Sequence, residues 1–166
     1  MLIKLRTYIG DKLIIVSPEC VAVFQGVADY PADVAGQAFN YFVNVIRLAD
    51  HVIDLYQPQA YNNWYGATGG SLDFLKNVYL NWRNFKGIGQ WDAPIPNFTG
   101  VAGEKLMMGV LASTRAGVSS YYSQSQTITD FRQWLGENNY PMRGFMMWDS
   151  NWDKLNGFVI SDACVK

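Results

Sequence analysis

Three short segments carry side chains with chemistry to offer. Gln57-Pro58-Gln59-Ala60-Tyr61-Asn62-Asn63-Trp64 combines amides, a phenol and an indole. Arg143-Gly144-Phe145-Met146-Met147-Trp148-Asp149 ends an apolar run on Trp and Asp, and Ser17-Pro18-Glu19 ends another on a hydroxyl and a carboxylate. Ring faces of tryptophan stack on sugar rings, while amide, phenol and hydroxyl groups hydrogen-bond sugar hydroxyls and acetamides, so these types together suit a carbohydrate. Metal chemistry has less support. The two cysteines, Cys20 and Cys164, have no zinc-ligand spacing with each other or with the only histidine, His51. Their pairing is left open by the sequence, and no cofactor is expected.

Placing those segments requires strands whose ends meet. A short helix carrying Leu2, Leu5, Tyr8 and Ile9 on one face stops at Gly10, and Lys12 to Ser17 reads as a first, fully apolar strand. Pro31 opens a helix with Val34, Ala38, Phe42, Val45 and Ile46 at helical spacing, and His51 to Tyr61 reads extended. Gly69-Gly70 is a turn and Ser71 an N-cap, after which Leu72, Leu75, Val78, Tyr79 and Trp82 form a third helix ending near Asn84. The Gly- and Pro-rich stretch from Lys86 to Gly103 precedes a third strand, Lys105 to Ala112. Thr129 caps a helix bearing Phe131, Trp134 and Leu135, and Met142 to Trp148 is a fourth strand. The tail from Asn151 shows no strong period.

Strands that are apolar throughout, each after the first preceded by a helix, imply a parallel sheet in an α/β protein. Its chemistry belongs at the carboxyl ends of the strands, where all three segments fall. Either a small doubly wound sheet or part of a (β/α)8 barrel fits; a complete barrel takes about 250 residues, and this chain has 166. No G-x-G-x-x-G or G-x-x-x-x-G-K-[ST] loop follows a strand, so a nucleotide-binding sheet has no support.

Composition narrows the partners. Thirteen basic and 14 acidic residues give a net charge of -1, hydrophobic residues make up 49% and charged ones 16%. That balance excludes a disordered chain and supplies no basic field for nucleic acid. No apolar run approaches the ~20 residues of a membrane span. Met1-Leu2-Ile3-Lys4-Leu5-Arg6 mixes charge with apolar residues and does not read as a secretory signal.

Taken together, the segments resemble a known family. Gln59-Ala60-Tyr61-Asn62-Asn63, Lys105 to Ser113 and Arg143 to Asp153 are similar to strands six, seven and eight of glycoside hydrolase family 18, the chitinases, and Ser17-Pro18-Glu19 resembles the end of strand five. The match covers almost the whole chain in the family's order. It implies four parallel β/α units, the second half of a (β/α)8 TIM barrel, with residues 1–166 forming a partial catalytic domain. The family's Asp-x-x-Asp-x-Asp-x-Glu motif, whose Glu donates the proton, has no counterpart in these 166 residues.

The resemblance also implies a mechanism, hydrolysis with retention in which the 2-acetamido oxygen of the sugar attacks its own anomeric carbon. Tyr61 is then the catalytic group that hydrogen-bonds the acetamide carbonyl. Gln59, Asn62, Trp148 and Glu19 are substrate-binding, Trp148 as the floor of the subsite where the sugar distorts. Holding the acetamide is worth several kcal/mol, while proton donation, about 10²–10⁴-fold, has no candidate here. Glu19 matches strand five, so it reads as a structural or subsite carboxylate and not as the donor. Asp149 and Asp153 default to turn or salt-bridge roles, His51 to a solvated or packed one, and the methionines to strand core. The implied partners are chitin or N-acetylglucosamine oligosaccharides, together with a second copy or an N-terminal half that covers the open sheet. The other reading is a non-catalytic carbohydrate-binding or structural remnant. Chitinases are commonly exported, so the compartment stays open.

Overall fold

The structure is a computed structural model describing residues 1–23, 41–62, 69–84 and 100–165. The expected helix start at Pro31, and Val34 and Ala38 with it, lies outside the described residues, as do Asn63, Trp64 and most of the Gly/Pro-rich stretch. Helix α1 spans Leu2–Ile9, strand β1 Ile15–Val16, α2 Tyr41–Ala49, β2 Leu55–Tyr56 and α3 Leu72–Asn84. They are followed by β3 Met107–Leu111, α4 Ser125–Glu137, β4 Gly144–Trp148, α5 Ser150–Leu155 and α6 Val159–Val165.

All pairing is parallel. β1 pairs with β2 through Ile15↔Leu55 and Val16↔Tyr56, and β3 with β4 from Met107↔Gly144 to Leu111↔Trp148. Parallel bridges Tyr56↔Leu106 and Gln59↔Gly109 join the two pairs, and Glu19↔Gln59 extends the first. The expected first two strands, Lys12 to Ser17 and His51 to Tyr61, are thus shortened. The proline ring at positions 18 and 58 removes an amide donor, so regular pairing stops before each. Their carbonyls stay useful: Pro18 O accepts from Gln59 N at 2.9 Å and Pro58 O from Gly109 N at 2.9 Å. A side chain at Gly109 would meet Pro58 O at 2.8 Å and Met146 Cε at 3.0 Å, so this crossing requires glycine. His51 sits in a 3₁₀ turn, Asp50–Val52, ahead of β2.

The core has two aromatic clusters. Phe42, Tyr56 and Trp82 meet between α2, β2 and α3, with the Trp82 and Tyr56 rings 6.0 Å apart. Trp82 Nε1 donates to Cys20 O at 2.9 Å, which removes the cost of a buried indole N–H. Tyr79, Phe131, Trp134 and Tyr140 form the second, between α3 and α4. Ser71 caps α3 as expected, its Oγ accepting from Phe74 N at 3.1 Å.

Other expectations need correction. Tyr8 and Leu5 of α1 are exposed and no residue of that helix is buried. Leu2 and Ile9 of the expected face do pack, half-buried, against the core, and Arg6 adds a polar tie: it donates to Gly10 O, Lys12 O and Val52 O and pairs with the Asp54 carboxylate. Helix α4 starts at Ser125, four residues before Thr129, whose Oγ1 donates back to Ser125 O at 3.1 Å inside the helix. The tail is helical, as α5 and α6. Strand β4 is apolar yet half-exposed along its length, so not every strand is covered on both faces. Both cysteines are free thiols.

Candidate functional site

At the carboxyl ends of β1, β2 and β4 lies a hollow of about 420 Å³. Ser17, Gln57, Gln59, Tyr61 and Trp148 line it, and Met146, Met147, Asp149 and Ser150 complete the wall. The backbone explains why three of these converge. Alternate residues of an extended chain point to one side, and Gln57, Gln59 and Tyr61 stand two apart.

A short polar network sets the amides. Ser17 Oγ donates to Gln57 Oε1 at 2.9 Å, and Gln59 Nε2 donates to Ser17 O at 2.7 Å. Gln57 Nε2 reaches the Met107 sulfur at 3.6 Å. With its nitrogen directed at β1, the Gln59 amide has a fixed orientation. Tyr61 is 4% exposed, and burial pushes its phenol up to about 12 because a phenolate there would lose its hydration. At neutral pH the group is a hydrogen-bond donor. Trp148 is 50% exposed, presenting ring surface at the mouth, and the peptide that follows it is cis.

Asp149, beside Trp148, has a structural duty: its Oδ1 accepts from Asn151 N at 3.0 Å and Trp152 N at 3.2 Å, capping α5. Asp153 is buried and accepts from Ile160 N and Ser161 N, joining α5 to α6.

The hollow gathers Gln59, Tyr61 and Trp148 but not the other two named residues. Asn62 follows Tyr61 in a left-handed conformation, φ 55, and its Oδ1 accepts from Val118 N at 2.7 Å. It latches the loop after β3. Glu19 is half-buried, its backbone bridging Gln59, and its side chain does not line the hollow. Sequence reasoning passed over Ser17 and Gln57 as site residues, although the two-residue spacing from Gln57 to Tyr61 was the available signal. No group of three or more His, Cys, Asp or Glu that could hold a metal occurs among the described residues, and no described helix is long and apolar enough to cross a membrane.

A mixed α/β chain with parallel strands and an amide- and aromatic-lined hollow at their carboxyl ends is the class defined by these observations. No protein-family model and no curated protein matches it by sequence. Solved structures do match. A GH18 chitinase from Pseudoalteromonas aurantia superposes with a TM-score of 0.64 at 22% identity, over 98% of this chain and 50% of that one. A xylanase-A-amylase inhibitor protein, XAIP-III, gives 0.60 at 21% over 98% and 48%, and chitinase ChiC from Aspergillus fumigatus 0.56 at 14% over 97% and 51%. This chain therefore has the fold of a partial GH18 chitinase and spans about half the length of the solved structures it matches.

Proposed function

We propose that the chain supplies one wall of an amino-sugar site in a family 18 chitinase, its elements corresponding to the last four β/α units of the barrel. The observation that carries this reading is the convergence of Gln59, Tyr61 and Trp148 on one hollow at the carboxyl ends of parallel strands. In the proposed reaction the acetamide carbonyl oxygen of the bound N-acetylglucosamine attacks C1 and the glycosidic C–O bond breaks. The leaving oxygen takes its proton from an acid on a complementary segment, and water then opens the oxazolinium ion with retention. Tyr61 donates its phenolic hydrogen bond to the acetamide carbonyl and holds it in line for attack. Trp148 supports the sugar face, and Gln59, its amide nitrogen held by Ser17, borders the acetamide. Glu19 and Asn62 serve at the margins, carrying the strand ends and the neighbouring loop.

The test is a fluorogenic chitobioside assay of the chain alone and mixed with a segment bearing the Asp-x-x-Asp-x-Asp-x-Glu motif, with calorimetric titration of chitobiose alongside. Turnover only in the mixture is expected. Chitobiose binding without turnover in either sample would assign the chain to carbohydrate binding alone, and neither binding nor turnover would end the amino-sugar reading.

A further inference from the structure

A second hollow lies on the far side of α5, independent of the amino-sugar reading. It measures about 300 Å³ and is lined by Ser113, Thr114, Arg115, Trp152, Leu155 and Asn156, at the low end of small-ligand pockets. Trp152 and Leu155 of α5 and Asn156 at its C-cap stand at helical spacing on one side, while Asp149 and Ser150 at the start of that helix border the first hollow.

The polar groups here are unspent. The exposed Arg115 guanidinium has no ion pair or side-chain hydrogen bond among the described residues; its backbone N–H donates to Ser113 Oγ at 3.1 Å. Asn156 Nδ2 donates to Ala112 O at 3.2 Å and Tyr122 Oη at 3.3 Å, and its Oδ1 accepts no hydrogen bond among the described residues. Trp152 is half-buried, and its ring N–H makes no hydrogen bond among the described residues. No carboxylate of the same helix answers Arg115, because Asp149 and Asp153 are occupied with backbone amides.

We propose that this hollow binds a uronate, a sugar unit carrying a carboxylate. A guanidinium fork matches a planar carboxylate with two parallel hydrogen bonds. The indole of Trp152 offers a face for the ring, the Asn156 carbonyl accepts from a ring hydroxyl, and Ser113 and Thr114 add hydroxyls to the rim. A neutral sugar would forgo the ion pair that the exposed Arg115 guanidinium offers, and a bare carboxylate would leave Trp152 and Asn156 unused.

Calorimetric titration of the 166-residue chain with D-glucuronate at low salt, with methyl glucoside and acetate as controls, tests the assignment. Glucuronate is expected to bind at least about tenfold more tightly than either control. Arg115→Gln should weaken glucuronate by about tenfold or more, Trp152→Phe by a smaller factor, and Lys154→Gln, a change of equal charge on the exposed face of α5, by less than about twofold. Circular dichroism confirms that each variant is folded. Equal affinity for glucuronate and acetate, an equal loss on Lys154→Gln and Arg115→Gln, or no glucuronate binding tighter than about 10 mM would overturn the proposal. Because chitobiose is absent, its failure leaves the amino-sugar reading untouched.

Discussion

Tyr61 concentrates the chemistry of the first hollow in one hydroxyl. Its phenol is pushed up to about 12 by burial, so the proposed hydrogen bond to an acetamide would persist well above the pH at which an exposed tyrosine ionises, about 10. Chitobiose affinity should therefore stay level from pH 7 to pH 10, measured by titration calorimetry, and Tyr61→Phe should lower it by about fivefold to tenfold, the worth of one hydrogen bond between neutral groups. A fall in affinity centred on pH 10, or a Phe variant that binds as well as the parent, would remove Tyr61 from the site. The same raised value has a consequence for stability. A folded-state pKa above the unfolded one means the native chain holds its proton longer, so stability is full below about pH 10 and is lost as pH rises toward the folded value of about 12. Tyr56 acts in the same direction: it is fully buried and raised by desolvation, then by the charge of Asp50 and the 2.9 Å bond it donates to that carboxylate. The melting temperature should accordingly fall between pH 10 and 12, more steeply in the parent than in Tyr61→Phe.

Among the elements, α5 separates the two hollows and depends on carboxylates for its position. Asp153 is buried, and its two oxygens receive Ile160 N at 3.1 Å and Ser161 N at 3.4 Å, supplying partners to the first turn of α6. Asp153→Ala would strand those amides in a dry environment, so a loss of about 2–4 kcal/mol in urea unfolding is expected. Ser71→Ala at the α3 cap should cost only about 1 kcal/mol. If the two variants unfold at the same urea concentration, the α5–α6 joint is not held in this way. This joint also shows where sequence patterns lose their reach. Helix α3 was legible to its last residue because thirteen positions repeat an apolar face and Ser71 marks the start. Helices of six and seven residues complete too few turns to register a period, and what fixes them is a pair of aspartates acting over two to eight positions. The strands were legible as parallel and apolar, but their ladders were cut short where Pro18 and Pro58 withhold a donor. At the site, the polar carboxyl ends were readable from residue types. The outward turn of Asn62 was not, because it depends on a left-handed backbone and on Val118, fifty-six positions away.

At the scale of the molecule, the sheet order leaves β1 and β4 at its two edges among the described residues. Beside β1, Leu13, Ile15 and Leu48 are exposed, and an apolar hollow of about 460 Å³ opens between Leu2, Ile3, Val16, Phe42, Val45 and Leu48. Beside β4, Phe158 and the ring of Trp148 are exposed, and Met146 and Met147 are only half-covered. Parallel sheets are stable when both faces and edges are covered, and unpaired edges flanked by apolar side chains recruit further strands. Several such side chains, each worth about 1.5–3 kcal/mol when fully buried, exceed what association costs only if they are covered together. A second copy of this chain or a complementary half-barrel would achieve that. Multi-angle light scattering of the chain alone at micromolar concentration is expected to give a dimer or larger species. On the proposed half-barrel reading, addition of a complementary acid-bearing half is expected to convert it to a defined one-to-one complex, because strands that completed such a barrel would bury both edges at once. Leu13→Lys together with Ile15→Lys, which place charge on the β1 edge without touching either hollow, should shift the chain toward monomer. A chain that scatters as a monomer at micromolar concentration, and remains one when the complementary half is added, would show that its open edges are tolerated as they stand.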